Sequence, residues 1–195
     1  MAKTGNPGKI GDFVSDVAEI RRRARQHKCG DGGISCRSRD RGSRAERSVG
    51  YGLVCVLRYK RHYYMATGIH AQAVAEEFLQ HAKEEQEHAD QIAERITQLG
   101  GALNFNPEGL LLRSHSEYVE GTSLVDMIRE DLIAERIAID SYSEIIRYLG
   151  DKDTTSRRMM EEILAKEEEH ADDMVKLVEI FAENDDLKAG LKAAS

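Results

Sequence analysis

Two short stretches, EQEHADQI at 85–92 and EEEHADDM at 167–174, each put a Glu-x-x-His pair in the middle of a segment whose apolar residues recur at helical spacing. The first segment carries Val74, Phe78 and Ala82, then Glu85 and His88, then Ile92, Ile96 and Leu99. The last carries Met160 and Ile163, then Glu167 and His170, then Met174, Leu177 and Phe181. Between them a third stripe, Leu124, Ile128 and Leu132 followed by Ile139, Tyr142, Ile145 and Leu149, is broken by Glu135. Ionisable groups therefore occupy positions that a helix normally buries. Burying an unpaired carboxylate costs several kcal/mol in order of magnitude, so the interior needs compensating positive charge.

No lysine or arginine lies on these three stripes, and metal cations would supply that charge. Glu and His at i and i+3 share one helix face, so each pair aims two ligands at one interior point. Carboxylate and imidazole donors without thiolate favour iron or manganese over a structural zinc. A single Glu-x-x-His in a glutamate-rich chain is an exposed helical pair more often than a ligand set. Two of them on apolar stripes, with a third striped Glu between, point to Glu85, His88, Glu135, Glu167 and His170 as metal ligands. Glu84, Glu87, Glu168 and Glu169 fall off the stripe and read as a solvated face.

Four helical stretches are expected: about Leu53–Ala66, about Ala71–Leu99 stopped by Gly100 and Gly101, a third beginning near Thr122 or Ser123 and ending before Gly150, and about Asp153 to Glu183. The segment NFNPEGLLLRSHSEYVEG is long enough to cross from one end of a bundle to the other. Residues 9–27 have the pattern of a short amphipathic helix, with Phe13, Val17 and Ile20 on one face. Residues 28–52 hold six glycines, five arginines and four serines and read as an irregular linker. The expected division is 1–50, helix plus Arg/Ser/Gly-rich segment; 51–184, the bundle; and 185–195, a tail. The fold class is all-α, a four-helix bundle with one long crossover between its second and third helices.

The length allows one domain with a sizeable core, and a formal charge of −7 with pI near 5.6 argues against a surface built chiefly for nucleic acid. The N-terminus lacks an apolar leader region, and no stretch approaches the roughly 18 apolar residues of a membrane span, so a cytoplasmic protein with no membrane partner is expected. Three cysteines without C-x-x-C spacing support neither a disulfide framework nor a zinc knuckle, and Cys55 reads as a small core residue.

LVCVLRYKRHYYMATG, EEQEHADQIAERI, DLIAERIAIDSY and AKEEEHADDM together resemble the ferritin-like di-iron superfamily over about residues 53–183, and within it most the bacterioferritins. The resemblance implies oxidation of two Fe(II) by O2 or H2O2 at a ferroxidase centre, for iron storage or detoxification, in a homo-oligomer that is a dimer or a cage. Manganese is a possible alternative metal, and no haem is predicted. By the resemblance, Glu135, Glu167 and His170 would hold one iron, and Glu85 would hold or bridge to the other with His88. Tyr59 resembles the tyrosine beside the bacterioferritin di-iron site, a catalytic position, or is a packed core aromatic; His62 reads as a neighbour of the site or a surface residue. Other readings on the same bundle are a peroxide-reducing or substrate-oxidising di-iron enzyme, and a metal-binding assembly subunit with an impaired centre.

Extending the first helix backwards through His62, Tyr59 and Cys55 or Val56 leads to position 52, where the family has a glutamate and this chain has Gly52. One back-translation of Cys36–Gly52, read one base later and restored by one inserted base, encodes ADRETVGRELNEALAT followed by glutamate at position 52. Residues 28–52 are accordingly expected to be either a frame-shifted stretch or a genuine Arg-rich linker.

Overall fold

The computed structural model describes residues 39–68, 71–114 and 117–193, with side chains described between 48 and 181. The expected helix at 9–27, Cys29 and Cys36 lie outside the described residues. Among the described residues five helices follow one another: α1 (Arg39–Met65), α2 (Ala71–Gln98), the short α3 (Leu110–Arg113), α4 (Leu124–Leu149) and α5 (Thr154–Ala193). No strand occurs among the described residues, and none of their helices is long and apolar enough to cross a membrane.

The helix ends follow local chemistry. Gly100, at φ 76°, takes the left-handed conformation that stops α2 without a Cβ clash. The Ser123 side chain accepts the Asp126 N–H at 3.2 Å and caps α4. Asp153 accepts the Ser156 N–H at 3.1 Å at the start of α5. Arg95 near the end of α2 reaches both, with Nε 2.8 Å from Ser156 Oγ and Nη2 3.2 Å from Asp153 Oδ1. That contact ties the C-terminal end of α2 to the N-terminal end of α5.

Two helix boundaries differ from the sequence expectation. α1 begins at Arg39, not Leu53, and runs through Gly50 and Gly52. The Arg/Ser/Gly composition hid this, because glycine lowers helix propensity while the tertiary contacts of Val49, Tyr51 and Val54, all buried, favour the helical register. Position 52 lies where α1 crosses α2 closely: a Cβ there would meet Ala89 Cβ and the Glu85 carbonyl oxygen, each at 3.2 Å. A glycine keeps the crossing open. α5 likewise continues to Ala193, past the expected end near Glu183 and through the expected tail.

α1 packs chiefly along α2 and α4 along α5, so the bundle consists of two helical hairpins joined by the 99–123 crossover, with α3 resting on α1. Between the hairpins lie Cys55, Tyr59, Phe78, Ile92, Ile128, Tyr142, Ile163 and Met174, all essentially inaccessible. Met65, at the expected end of the first stripe, is instead half exposed, because α1 is ending there.

The hairpins are also joined by a buried ion pair. Arg58 on α1 donates from Nε to Asp131 Oδ1 on α4 at 2.8 Å, and His62 Nδ1 lies 2.8 Å from Asp131 Oδ2. Arg58 Nη1 and His62 Nε2 reach the Glu117 and Val119 carbonyls of the crossover at 3.1 and 3.2 Å. A cation is therefore buried in the core after all, but its close partner is Asp131. Asp131→Ala leaves the guanidinium buried without its counter-charge, and the denaturant midpoint is expected to report a loss of about 3–5 kcal/mol. Breaking the exposed Arg61–Glu120 contact by Glu120→Ala is expected to change stability by about 1 kcal/mol at most.

Candidate metal centre

Each hairpin turns polar at the same depth. Glu85 and His88 stand one turn apart on α2, Glu167 and His170 one turn apart on α5, and Glu135 projects from α4. All five are buried: Glu85, Glu135 and Glu167 at 0 % exposure, His170 at 1 % and His88 at 5 %. One ligand atom from each of Glu85, Glu135, Glu167 and His170 lies within 4.8 Å of all the others. His88 stands outside that group, its Nδ1 3.0 Å from Glu167 Oε1.

Both oxygens of Glu85, Oε2 of Glu135, Oε2 of Glu167 and Nδ1 of His170 have no hydrogen-bond donor or acceptor in contact. Buried polar atoms are normally satisfied, so several orphans facing one another mark a place built for something else. Without a cation the relief open to the carboxylates is to keep protons. Burial first, then the Glu167 and Glu135 charges, push the Glu85 carboxyl well above the usual carboxylate range. Glu167 is pushed up in the same way, by burial and then by Glu135. Burial, then His170, lowers His88 to about 4, so its ring is neutral and able to ligate at pH 7.

The remaining hydrogen bonds orient these groups. His170 Nε2 is 2.5 Å from Glu84 Oε2, which leaves Nδ1, 3.9 Å from Glu135 Oε2, as the nitrogen turned inward. A carboxylate holding the outer nitrogen of an inward-facing histidine is the usual support of a metal-bound imidazole. Tyr59 on α1 is fully buried and donates its hydroxyl proton to Glu135 Oε1, which leaves Oε2 directed at the group. His81 Nδ1 lies 3.2 Å from the same hydroxyl, and the His81 ring stacks on His170 with centroids 4.0 Å apart. Burial, then His170, lowers His81 to about 3.

The sequence reading missed two of these residues. Glu84 was expected on a solvated face, yet it is only partly exposed and bonded to His170, because α5 covers the flank of α2 as well as its stripe. His81 was passed over because Ala82 continues the apolar stripe; its spacing of one turn before Glu85 was the available signal. Glu87, Glu168 and Glu169 are exposed as expected. His62 faces Asp131 rather than the carboxylate group. At position 52 a Cβ would lie 3.6 Å from Glu85 Oε2, so Gly52 adjoins the group and gives it no ligand. Beside His88, a cleft of about 290 Å³ lined by Glu84, Glu87, Gln91, Glu162 and Lys166 lies on the α2–α5 seam.

Comparison with known proteins agrees with this architecture. The "Nutrient stress-induced DNA-binding protein" of Nostoc sp. is 32% identical over 120 residues, 59% of this chain and 64% of that protein's length. Among solved structures, the dodecameric thioferritin, a bacterioferritin-related protein of Bacteroides fragilis, superposes with a TM-score of 0.75 at 25% identity, covering 84% of this chain and 97% of that one. Mycobacterium tuberculosis bacterioferritin shares the fold, with a TM-score of 0.66 at 24% identity over 75% of this chain and 88% of its own. The sequence model of the ferritin-like domain matches residues 47–183, from the upper part of α1 into α5 across both hairpins and the crossover, and the chain belongs to that family.

Proposed function

We propose that the chain binds Fe(II) as substrate among Glu85, His88, Glu135, Glu167 and His170 and oxidises it with O2 or H2O2, in iron storage or detoxification. The observation that carries this reading is the convergence of orphaned, buried carboxylate oxygens with an unpartnered imidazole nitrogen. Iron fits that donor set better than zinc, since it is rich in oxygen and has no thiolate.

Two Fe(II) supply two electrons. With two protons these reduce O2 to H2O2, or H2O2 to two waters. The five side chains would hold the cations together in a site shielded from bulk water. The Glu135 and Glu167 carboxylates would offset the growing charge as Fe(III) forms. Tyr59 acts through Glu135 by holding one of its oxygens, and Glu84 acts through His170. Gly52 favours a weakly held iron beside Glu85, where water would complete the coordination. The same observation favours an impaired, metal-binding subunit as the second reading. The acidic cleft beside His88 suits entry of a cation.

We also propose that the chain assembles with copies of itself, as the Bacteroides fragilis protein is described as doing. Leu57 and Tyr64 stand two turns apart on the outer face of α1, at 54% and 77% exposure, with Lys60 and Arg61 between them, a mixed face whose two large hydrophobic side chains suit contact between subunits. Light scattering of the purified protein is expected to give a mass well above 21.9 kDa.

Stopped-flow mixing with Fe(II) and oxidant is expected to show oxidation faster than in buffer, and Glu135→Ala to remove that excess. Glu84→Gln is expected to lower metal affinity or turnover by roughly 10–100-fold, the usual effect of removing a ligand's supporting hydrogen bond. Gly52→Glu is expected to tighten iron binding once the α1–α2 crossing opens by a few tenths of an ångström at Ala89 and the Glu85 carbonyl. A wild-type rate equal to buffer would leave the impaired-subunit reading.

Metal removal supplies a second test. Because the folded state holds a proton on Glu85 more tightly than the unfolded chain does, its contribution to stability is complete below the ordinary carboxylate range. It is lost as pH rises through the raised folded value. Metal-free Glu85→Gln is therefore expected to melt higher than metal-free wild type at neutral pH and to lose less stability from mildly acidic to neutral pH. With a divalent cation at about 100 times its Kd, wild type is expected to gain about 2.7 kcal/mol by linkage, and the variant less.

A further inference from the structure

One helical turn from the buried group, on the same α2–α5 seam, lies a second set of ligand atoms. Glu77 and His81 are four residues apart on α2, and Asp173 follows His170 by three residues on α5. His81 Nε2 is 3.3 Å from Glu77 Oε1 and 3.9 Å from Asp173 Oδ2, and one ligand atom from each of the three lies within 4.8 Å of the other two. The His81 ring is buried, at 1% exposure, while the Glu77 and Asp173 side chains are 39% and 29% exposed. This set has an inner wall and an open, solvated front.

The hydrogen bonds fix which way His81 presents its lone pair. Tyr59 has one hydroxyl proton and donates it to Glu135, so in the contact between His81 Nδ1 and the Tyr59 oxygen the ring nitrogen is the donor. In the neutral ring with its proton on Nδ1, Nε2 is an acceptor, and it faces two carboxylate oxygens, so the three ligand atoms converge on one place. Lys176 does not fill the gap: its Nζ sits 3.0 Å from Asp173 Oδ1 and 2.7 Å from Asp172, and leaves Asp173 Oδ2 turned to His81. Partial burial, then crowding by Asp173 and Glu84, raises the Glu77 carboxyl above its ordinary value, as expected for carboxylates gathered without enough positive charge.

We propose that Glu77, His81 and Asp173 form a second, outer site for a divalent first-row cation, beside the buried centre, with His81 also placing a ligand atom within 4.8 Å of those of Glu135 and His170. One imidazole nitrogen and two carboxylate oxygens, with open positions for water, suit Mn(II), Fe(II) or Zn(II). His81 stands between the two sites, its Nε2 edge in the outer one and its Nδ1 edge bonded to the Tyr59–Glu135 pair of the inner one. The outer site stands on its own geometry and does not require the oxidation chemistry proposed above.

The test is an Mn(II) titration of the metal-free full-length protein, followed by the paramagnetic signal of free Mn(II), for wild type and for the Glu77→Gln/Asp173→Asn double variant. The expected result is one bound Mn(II) fewer per chain in the double variant, with an unchanged helical circular dichroism spectrum. Crystals soaked in Mn(II) are expected to show an anomalous peak between Glu77, His81 and Asp173. In Glu85→Gln/Glu167→Gln, that outer peak is expected to remain. Equal Mn(II) stoichiometry and affinity in wild type and the outer double variant would overturn the site and leave His81 and Glu77 as a plain ion pair. A wild-type protein with outer Mn(II) but no acceleration of Fe(II) oxidation would support this site while removing the ferroxidase reading.

Discussion

The structure depends on a repulsion it does not itself relieve. Glu85, Glu135 and Glu167 meet in the interior with oxygens that no protein group satisfies, and the Arg58 guanidinium in the same core is paired to Asp131. An apolar core at these positions would be more stable for the metal-free chain, since unpaired buried carboxylates oppose folding. Everything around them can be understood as holding that unfavourable convergence in place: two helical hairpins supply it from opposite sides, and the aromatic and aliphatic layers above and below exclude water from it.

Orientation comes from a shell of hydrogen bonds that do not belong to the group. Tyr59 from α1 takes one oxygen of Glu135 on α4, and Glu84 from α2 takes the outer nitrogen of His170 on α5. Each of these bonds crosses between hairpins, so the relative placement of the hairpins and the direction of the ligand atoms are set by the same contacts. The Arg58–Asp131–His62 network does comparable work nearer the crossover, reaching the carbonyls of Glu117 and Val119. His81 joins the buried group to the outer carboxylates Glu77 and Asp173, which makes the α2–α5 seam polar from the surface inward.

Much of this was legible in the chain. The striped residues Glu85, Glu135, Glu167 and His170 could be read off a 3.6-residue period, because helical periodicity alone decides which residues share a face. The bundle's connectivity followed from the crossover length and from helix signals at Ser123, Gly100 and Gly150. The true extent of α1 was not legible: three glycines and two serines within residues 39–52 lower helix propensity, and the contacts that favour their helix, such as Tyr51 donating to the Ala134 carbonyl at 2.6 Å, come from a helix some eighty residues away. Glu84 was misjudged for a related reason, since a flank position reads as solvated until a neighbouring helix covers it.

The sequence alone therefore determined the helical class, the two Glu-x-x-His faces and the striped Glu135 between them, because each is a matter of residue type and local period. Only the tertiary structure decided that His88 leans on Glu167 while His170 turns Nδ1 inward, that Tyr59 bonds Glu135, and that Arg58 answers Asp131 instead of the glutamates. It also decided that His81 and Glu84 belong to the seam. Those outcomes depend on distances and directions between side chains on different helices, which no periodicity within one helix encodes.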